Sequence, residues 1–140
     1  MRQLLLSLIL TTSVCGCGGG KTVETVPVSG LITMNGEPLV NAAVMFQLNS
    51  ETESTAPTSV GITDDDGKYT LKLSISNTSG AVVGEHRVRV TMDDYEEDEE
   101  DDGDSEATES IPAKYNVDTE LVFTVPEGGS DQANFDLQSE

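Results

Sequence analysis

The residues in this 140-residue chain that could do chemistry are few: Cys15 and Cys17, a single His86, the turn Asp64-Asp65-Asp66-Gly67, and a run of carboxylates over residues 93–109. Two cysteines spaced Cys-x-Cys, with one distant histidine, fall short of a zinc ligand set. One histidine cannot serve a metallopeptidase site, and its in-strand phase with Val88 and Val90 favours packing over a Ser/His/Asp group. The Asp64–67 turn lacks the alternating acids and distal Glu of a calcium loop, so it reads as a β-turn with solvated carboxylates. No Gly-rich phosphate loop precedes a helix. The expectation is therefore no catalytic residue, no metal ligand and no cofactor: not an enzyme.

The cysteines make sense in a different context. Met1-Arg2-Gln3 places one positive charge before the apolar run Leu4-Leu5-Leu6-Ser7-Leu8-Ile9-Leu10, the layout of a secretory signal peptide. That run is too short for a membrane helix, which needs about 20 apolar residues. Val14-Cys15-Gly16-Cys17 resembles a bacterial lipobox, with Gly16 as the small residue before the acceptor Cys17. Cys15 fits worse as acceptor, because Val14 would then occupy the small-residue position. The resemblance implies cleavage after residue 16 and a diacylglyceryl thioether with an acylated amine on Cys17. Several acyl chains hold a protein on a membrane far more durably than one. Gly18, where an Asp would retain a Gram-negative lipoprotein in the inner membrane, implies an outer-membrane location facing the periplasm or the cell surface.

The chain is strongly acidic, with a formal net charge of −19. Removing residues 1–16 takes away Arg2 and no acid, so the remainder is more acidic still. Nucleic acid is an improbable partner for such a surface. Twelve of the 26 Asp and Glu residues lie within residues 93–109, uninterrupted by Lys or Arg. Such a block repels itself and has little to bury, which predicts a disordered acidic loop over 93–110. Loose binding of divalent cations by this loop, at the weak end of about 10⁻⁴–10⁻³ M, is the most its composition suggests.

What must position these residues is a set of β-strands. Residues 17–25 read as a lipidated cysteine and flexible tether, and residues 26–140 as one domain. Val28, Ile32 and Met34 alternate with Gly30 in phase, and Asn35-Gly36 closes a tight type I′ turn. Ala42, Val44, Phe46 and Leu48 alternate next, then Tyr69, Leu71 and Leu73. His86, Val88, Val90 and Met92 share one face, with Arg87 and Arg89 on the other. Leu121, Phe123 and Val125 follow, and Ala133, Phe135 and Leu137 close the series. Recurrent period-two alternation with Gly and Asp turns and no helical stretch predicts a two-sheet sandwich, with Phe46 and Phe123 in its core.

These residues also carry a likeness. Val28-Ser29-Gly30-Leu31-Ile32, then Asn35-Gly36-Glu37-Pro38-Leu39-Val40-Asn41-Ala42-Ala43-Val44, resembles the opening of carboxypeptidase regulatory-like domains. Thr63-Asp64 with Gly67 and Tyr69, and Gly84-Glu85-His86-Arg87-Val88-Arg89-Val90, are similar to two later motifs, with His86 at a usual Tyr position. Ile111-Pro112-Ala113-Lys114-Tyr115-Asn116 and Val125-Pro126-Glu127-Gly128-Gly129 look like the ending of small bacterial lipoproteins with this domain. The resemblance, over residues 28–137, implies a seven-stranded antiparallel transthyretin-like sandwich without the peptidase's zinc ligands. Related adhesin domains cross-link a first-strand Lys to a last-strand Asn; Asn134 is placed for this, but the first strand has no Lys.

The expected function is a non-enzymatic, lipid-anchored cell-envelope protein, a structural or binding module for an envelope protein or glycan. The alternative is a cation-responsive surface protein working through the acidic loop. Cys17→Ser should leave the chain without lipid, as a soluble or unprocessed form; mass spectrometry finding lipid on Cys15 instead would overturn the anchor assignment.

Overall fold

A computed structural model describes residues 23–49, 57–92 and 111–139. Cys17, most of the tether and the acidic run over 93–110 lie outside these residues. Over the described residues the fold is all-β, with eleven strand segments and one turn of 3-10 helix at Ala113–Tyr115. One sheet holds five strands in the order β10 (Val122–Val125), β9 (Gly84–Met92), β4 (Ala42–Leu48), β5 (Ser59–Ile62) and β7 (Lys72–Leu73), all antiparallel. The other gathers around β2 (Ser29–Met34), which pairs with β3 (Glu37–Pro38), β6 (Lys68–Thr70) and β11 (Phe135–Leu137). A short ribbon of β1 (Thr25–Val26) and β8 (Ala81–Val82) stands beside them.

The alternation written in the sequence becomes the interior of a sandwich-like pair of layers. Val28, Ile32 and Met34 face Val44, Phe46, Val88 and Val90 across one continuous apolar core, which Leu71, Val125, Ala133 and Leu137 complete. All three phenylalanines of the chain meet there. Phe46, fully buried, lies 5.8 Å from Phe123 and 6.3 Å from Phe135, ring centre to ring centre, both edge-on. Tyr69 and His86 approach the same ring at 6.4 and 5.8 Å. These tilted arrangements suit the ring quadrupoles. Phe123 is half-buried, not enclosed as expected, because β10 is an edge strand and its ring closes the open side of the sandwich.

Two connections depend on local chemistry. Asn35 and Gly36 take φ of 53° and 85°, the double left-handed turn of a two-residue hairpin, and join Met34 to Glu37. The Asn35 side chain then ties the C-terminal end, accepting from the Ser139 amide at 3.0 Å and donating to its hydroxyl at 2.8 Å. Gly30 is required for a different reason: a Cβ there would sit 1.9 Å from the Ala133 carbonyl oxygen. That carbonyl accepts the buried Tyr69 hydroxyl at 2.6 Å.

The alternation at Tyr69, Leu71 and Leu73 reads as one strand but is two. β6 pairs with β2 and β7 with β5, so the chain changes sheets at Leu71. The Leu71 amide donates to the Val28 carbonyl at 2.9 Å, and its own carbonyl accepts from Gly80 at 2.7 Å, which satisfies the backbone at the crossing. β11 lies parallel to β2, whereas the sequence reading had every strand antiparallel. The chain crosses from β10 in one sheet to reach β2 in the other, so no hairpin constrains its direction.

Phe46→Ala should cost about 3–5 kcal/mol, because the ring touches both layers and the cavity cannot collapse around four aromatic neighbours. Phe123→Ala should cost less, since half of that surface is already wet. Urea midpoints of the two variants check the order.

Candidate functional site

Outward positions on the five-stranded sheet form two rows. Arg89, Met45, Val60 and Lys72 stand side by side across β9, β4, β5 and β7, and Val122, Arg87 and Gln47 across β10, β9 and β4. Strand geometry puts Arg87 and Arg89 on the same face, roughly 7 Å apart. Beyond Arg2 these are the only arginines in the chain. Three of its seven basic residues, Lys72 with Arg87 and Arg89, therefore share one face of a protein carrying −19. Glu85, at the end of that face, is engaged by the Asn49 amide at 2.7 Å.

A wall rises beside the arginines because β10 begins where it does. The Val88 amide still donates to the Leu121 carbonyl at 2.9 Å, as a ladder partner would. One step further the backbone has turned away, and the Thr119 hydroxyl donates to the Val88 carbonyl in its place. Thr119 Oγ1 also accepts from the Leu121 amide at 3.2 Å. This side chain both bounds the strand at its start and anchors the incoming segment, which passes beside the sheet as Val117 and Asp118 after the turn at Ala113–Tyr115. Between wall and sheet lies a cleft of about 430 Å³, lined by Met45, Gln47, Arg87, Arg89, Val117 and Asp118, with Thr58 and Thr119. That volume falls within the range of small-molecule sites.

The cleft holds two positive side chains, Arg87 and Arg89, against one negative, Asp118. Among the described residues neither arginine makes a side-chain hydrogen bond, and the only ion pair within 4.0 Å is Lys68 with Asp66, elsewhere on the surface. Asp118 lines the cleft without pairing with either guanidinium at that distance. A guanidinium offers five donors in a planar fork, so two of them can grip an oxyanion through paired hydrogen bonds. Met45 and Val117 add apolar wall; Val117 is 67 % exposed.

The residues singled out from sequence have other duties here. His86 is buried against Phe46, and its Nδ1 lies 3.0 Å from the Gly84 carbonyl. Since a carbonyl only accepts, Nδ1 carries the proton. Burial pushes the imidazole below its ordinary value of 6.5, opposed in part by that hydrogen bond. Asp64 Oδ1 accepts from the Asp66 and Lys68 amides at 3.0 and 2.9 Å, closing its own turn. Asn134 Oδ1 accepts from the Leu31 amide at 2.9 Å, a structural tie between the chain's ends. Among the described residues no three His, Cys, Asp or Glu side chains gather around a possible metal position. Cys17 and the acidic loop lie outside those residues.

The outward direction of Arg87 and Arg89 is legible in the alternation of β9, but the cleft is not. Its wall is an aperiodic stretch whose position depends on the Thr119 hydrogen bond. The signal available was compositional, two arginines at i and i+2 in a chain otherwise dominated by acid. No family model, curated protein or solved structure matches the chain.

The depressed His86 pKa has a consequence for stability. As pH falls through about 6.5, the unfolded imidazole takes a proton that the buried one resists. The stability tied to neutral His86 is thus full above that value and lost below it. Urea midpoints should fall between about pH 7.5 and pH 5.5 in the wild type, and His86→Phe should flatten that part of the profile.

Proposed function

We propose that this chain is a non-enzymatic, lipid-anchored protein of the cell envelope, attached through acyl chains on Cys17. In this reading its β-domain is a seven-stranded transthyretin-like sandwich that serves as a binding module for an envelope protein. The anchor rests on the charged, apolar and Val14-Cys15-Gly16-Cys17 segments of the sequence. The fold assignment draws support from the all-β, two-layer arrangement, the Asn35-Gly36 hairpin and the match of the motif residues to core positions.

The observation that carries the binding reading is the outer face of the five-stranded sheet. Although the chain is strongly acidic, this face presents Lys72, Arg87 and Arg89 among Met45, Val60 and Val122, with Glu85 only at its end and engaged by Asn49. Mixed basic and apolar surface of this kind suits a protein partner with carboxylates on its contact face. A glycan fits less well. Sugar rings stack on exposed aromatic faces, and the outward positions of these strands carry none, the phenylalanines all being turned into the core.

A photo-crosslinker in place of Val60 should capture an envelope protein in the native cell, while one at Thr33 on the other sheet should not. Equal capture from both positions, or none from either, would remove the binding role and leave a structural one.

A further inference from the structure

We infer that the cleft between β9, β4 and the 117–119 wall is a carboxylate receptor, in which Arg87 and Arg89 grip one carboxylate group of the bound molecule. The proposal rests on the binding-module reading and names the chemistry that the module recognises. Three features of the cleft select the ligand. First, the arginines are adjacent outward residues of one strand, Arg87 paired on both sides with Val122 and Gln47 and Arg89 with Met45 on β4, so their bases are fixed before anything binds. Second, the hydroxyl of Thr119 is already spent on the Val88 carbonyl, which leaves Gln47 and Thr58 as the neutral polar side chains beside the two guanidinium groups. The donors of the cleft thus outweigh its acceptors, and an acceptor-only group is what they can satisfy together.

Third, Asp118 stands in the same cleft. Its negative charge, one of those already counted in the chain's −19, offsets one of the two guanidinium charges and leaves the cleft a single net positive charge, which one carboxylate neutralises and a doubly charged phosphate overshoots. It also opposes a densely acidic polymer. A ligand with one carboxylate at the arginines and an apolar body against Met45 and Val117 satisfies both the basic and the apolar side of the cleft. Such a group is found on a free organic acid and on an Asp, Glu or C-terminal residue of a peptide. The same hydrogen bonds would hold either.

The full chain in detergent, carrying ¹⁵N, can be titrated with three probes: butyrate, a tripeptide acetylated and amidated at its ends with one central Glu, and inorganic phosphate. Butyrate, the tripeptide or both should shift the Arg87 and Arg89 side-chain Nε–H resonances, more strongly than phosphate does. Saturation by butyrate alone assigns a free acid, and by the tripeptide alone a peptide partner. Arg87→Gln and Arg89→Gln should each weaken binding about tenfold or more, as expected for a charge-assisted bond. Lys68→Gln, on the surface away from the cleft, should leave it unchanged.

The proposal is overturned if no carboxylate probe binds, if phosphate binds more tightly than both, or if either arginine variant binds as well as wild type. Binding that appears only after residues 96–106 are deleted would overturn it too, since the chain's own carboxylates would then be taking the arginines. Loss of the carboxylate response with crosslinking from position 60 intact sinks this inference alone. Carboxylate binding without any crosslinked partner sinks the envelope-protein reading and leaves the receptor.

Discussion

Both layers of this protein meet at the ring of Phe46. It projects from β4, the middle strand of the larger sheet, and is touched by Tyr69 from β6, His86 from β9, Phe123 from β10 and Phe135 from β11. Aromatic pairs contribute about 0.5–1.5 kcal/mol beyond the area they bury, but position matters more here than the sum. With three phenylalanines in the whole chain and no tryptophan, the aromatic volume is concentrated at one point. The aliphatic strands pack outward from it. His86 belongs to this cluster as a packing residue, its polar nitrogen satisfied by its own strand's backbone, so the buried imidazole contributes to packing as an aromatic ring would.

The constraint that fills the inner faces also frees the outer ones. Since β9 must turn His86, Val88 and Val90 inward, Arg87 and Arg89 can only point out, and β4 delivers Met45 and Gln47 beside them in register. No residue of the site is held by a special device of its own. The exception is the wall, where one threonine hydroxyl takes over a hydrogen bond from a backbone amide and lets the chain join the sheet without stranding the Val88 carbonyl. The cleft is thus a by-product of how an edge strand begins.

Sequence reading recovered what period-two alternation encodes, which is the face each residue takes. Val28, Ile32, Val44, Phe46, Val88, Val90 and Leu137 are all fully buried on the faces expected of them. Alternation does not record which strand lies alongside. Tyr69, Leu71 and Leu73 keep one inward face through the change of sheet, so the crossing at Leu71 left no mark on the pattern. The direction of β11 was equally hidden, since a strand reads the same whether its neighbour runs parallel or antiparallel. Half-burial of Phe123 follows from edge position, which only the pairing order reveals. The arginine pair was visible and the space in front of it was not, because that space is made by the tertiary path of residues 117–119.

The pairing of β2 with β11 has a bearing on how the protein comes to be folded. Leu31 is held by Asn134, 103 positions away, and Thr33 is bonded to Asp136 at the same separation. A ribosome adding 5–20 residues per second produces Asn134 on the order of 5–20 s after Leu31. Until then β2 has an empty edge, the tie through Asn134 is missing, and Ala133 cannot offer its carbonyl to Tyr69. Folds dominated by such distant pairings also form slowly, in milliseconds to seconds, once all their parts exist. The smaller sheet therefore cannot be completed on the nascent chain before residues 133–137 emerge. For the exported protein proposed above, that delay would keep the chain extended for threading across a membrane, since β11 is one of the pieces that locks the fold shut.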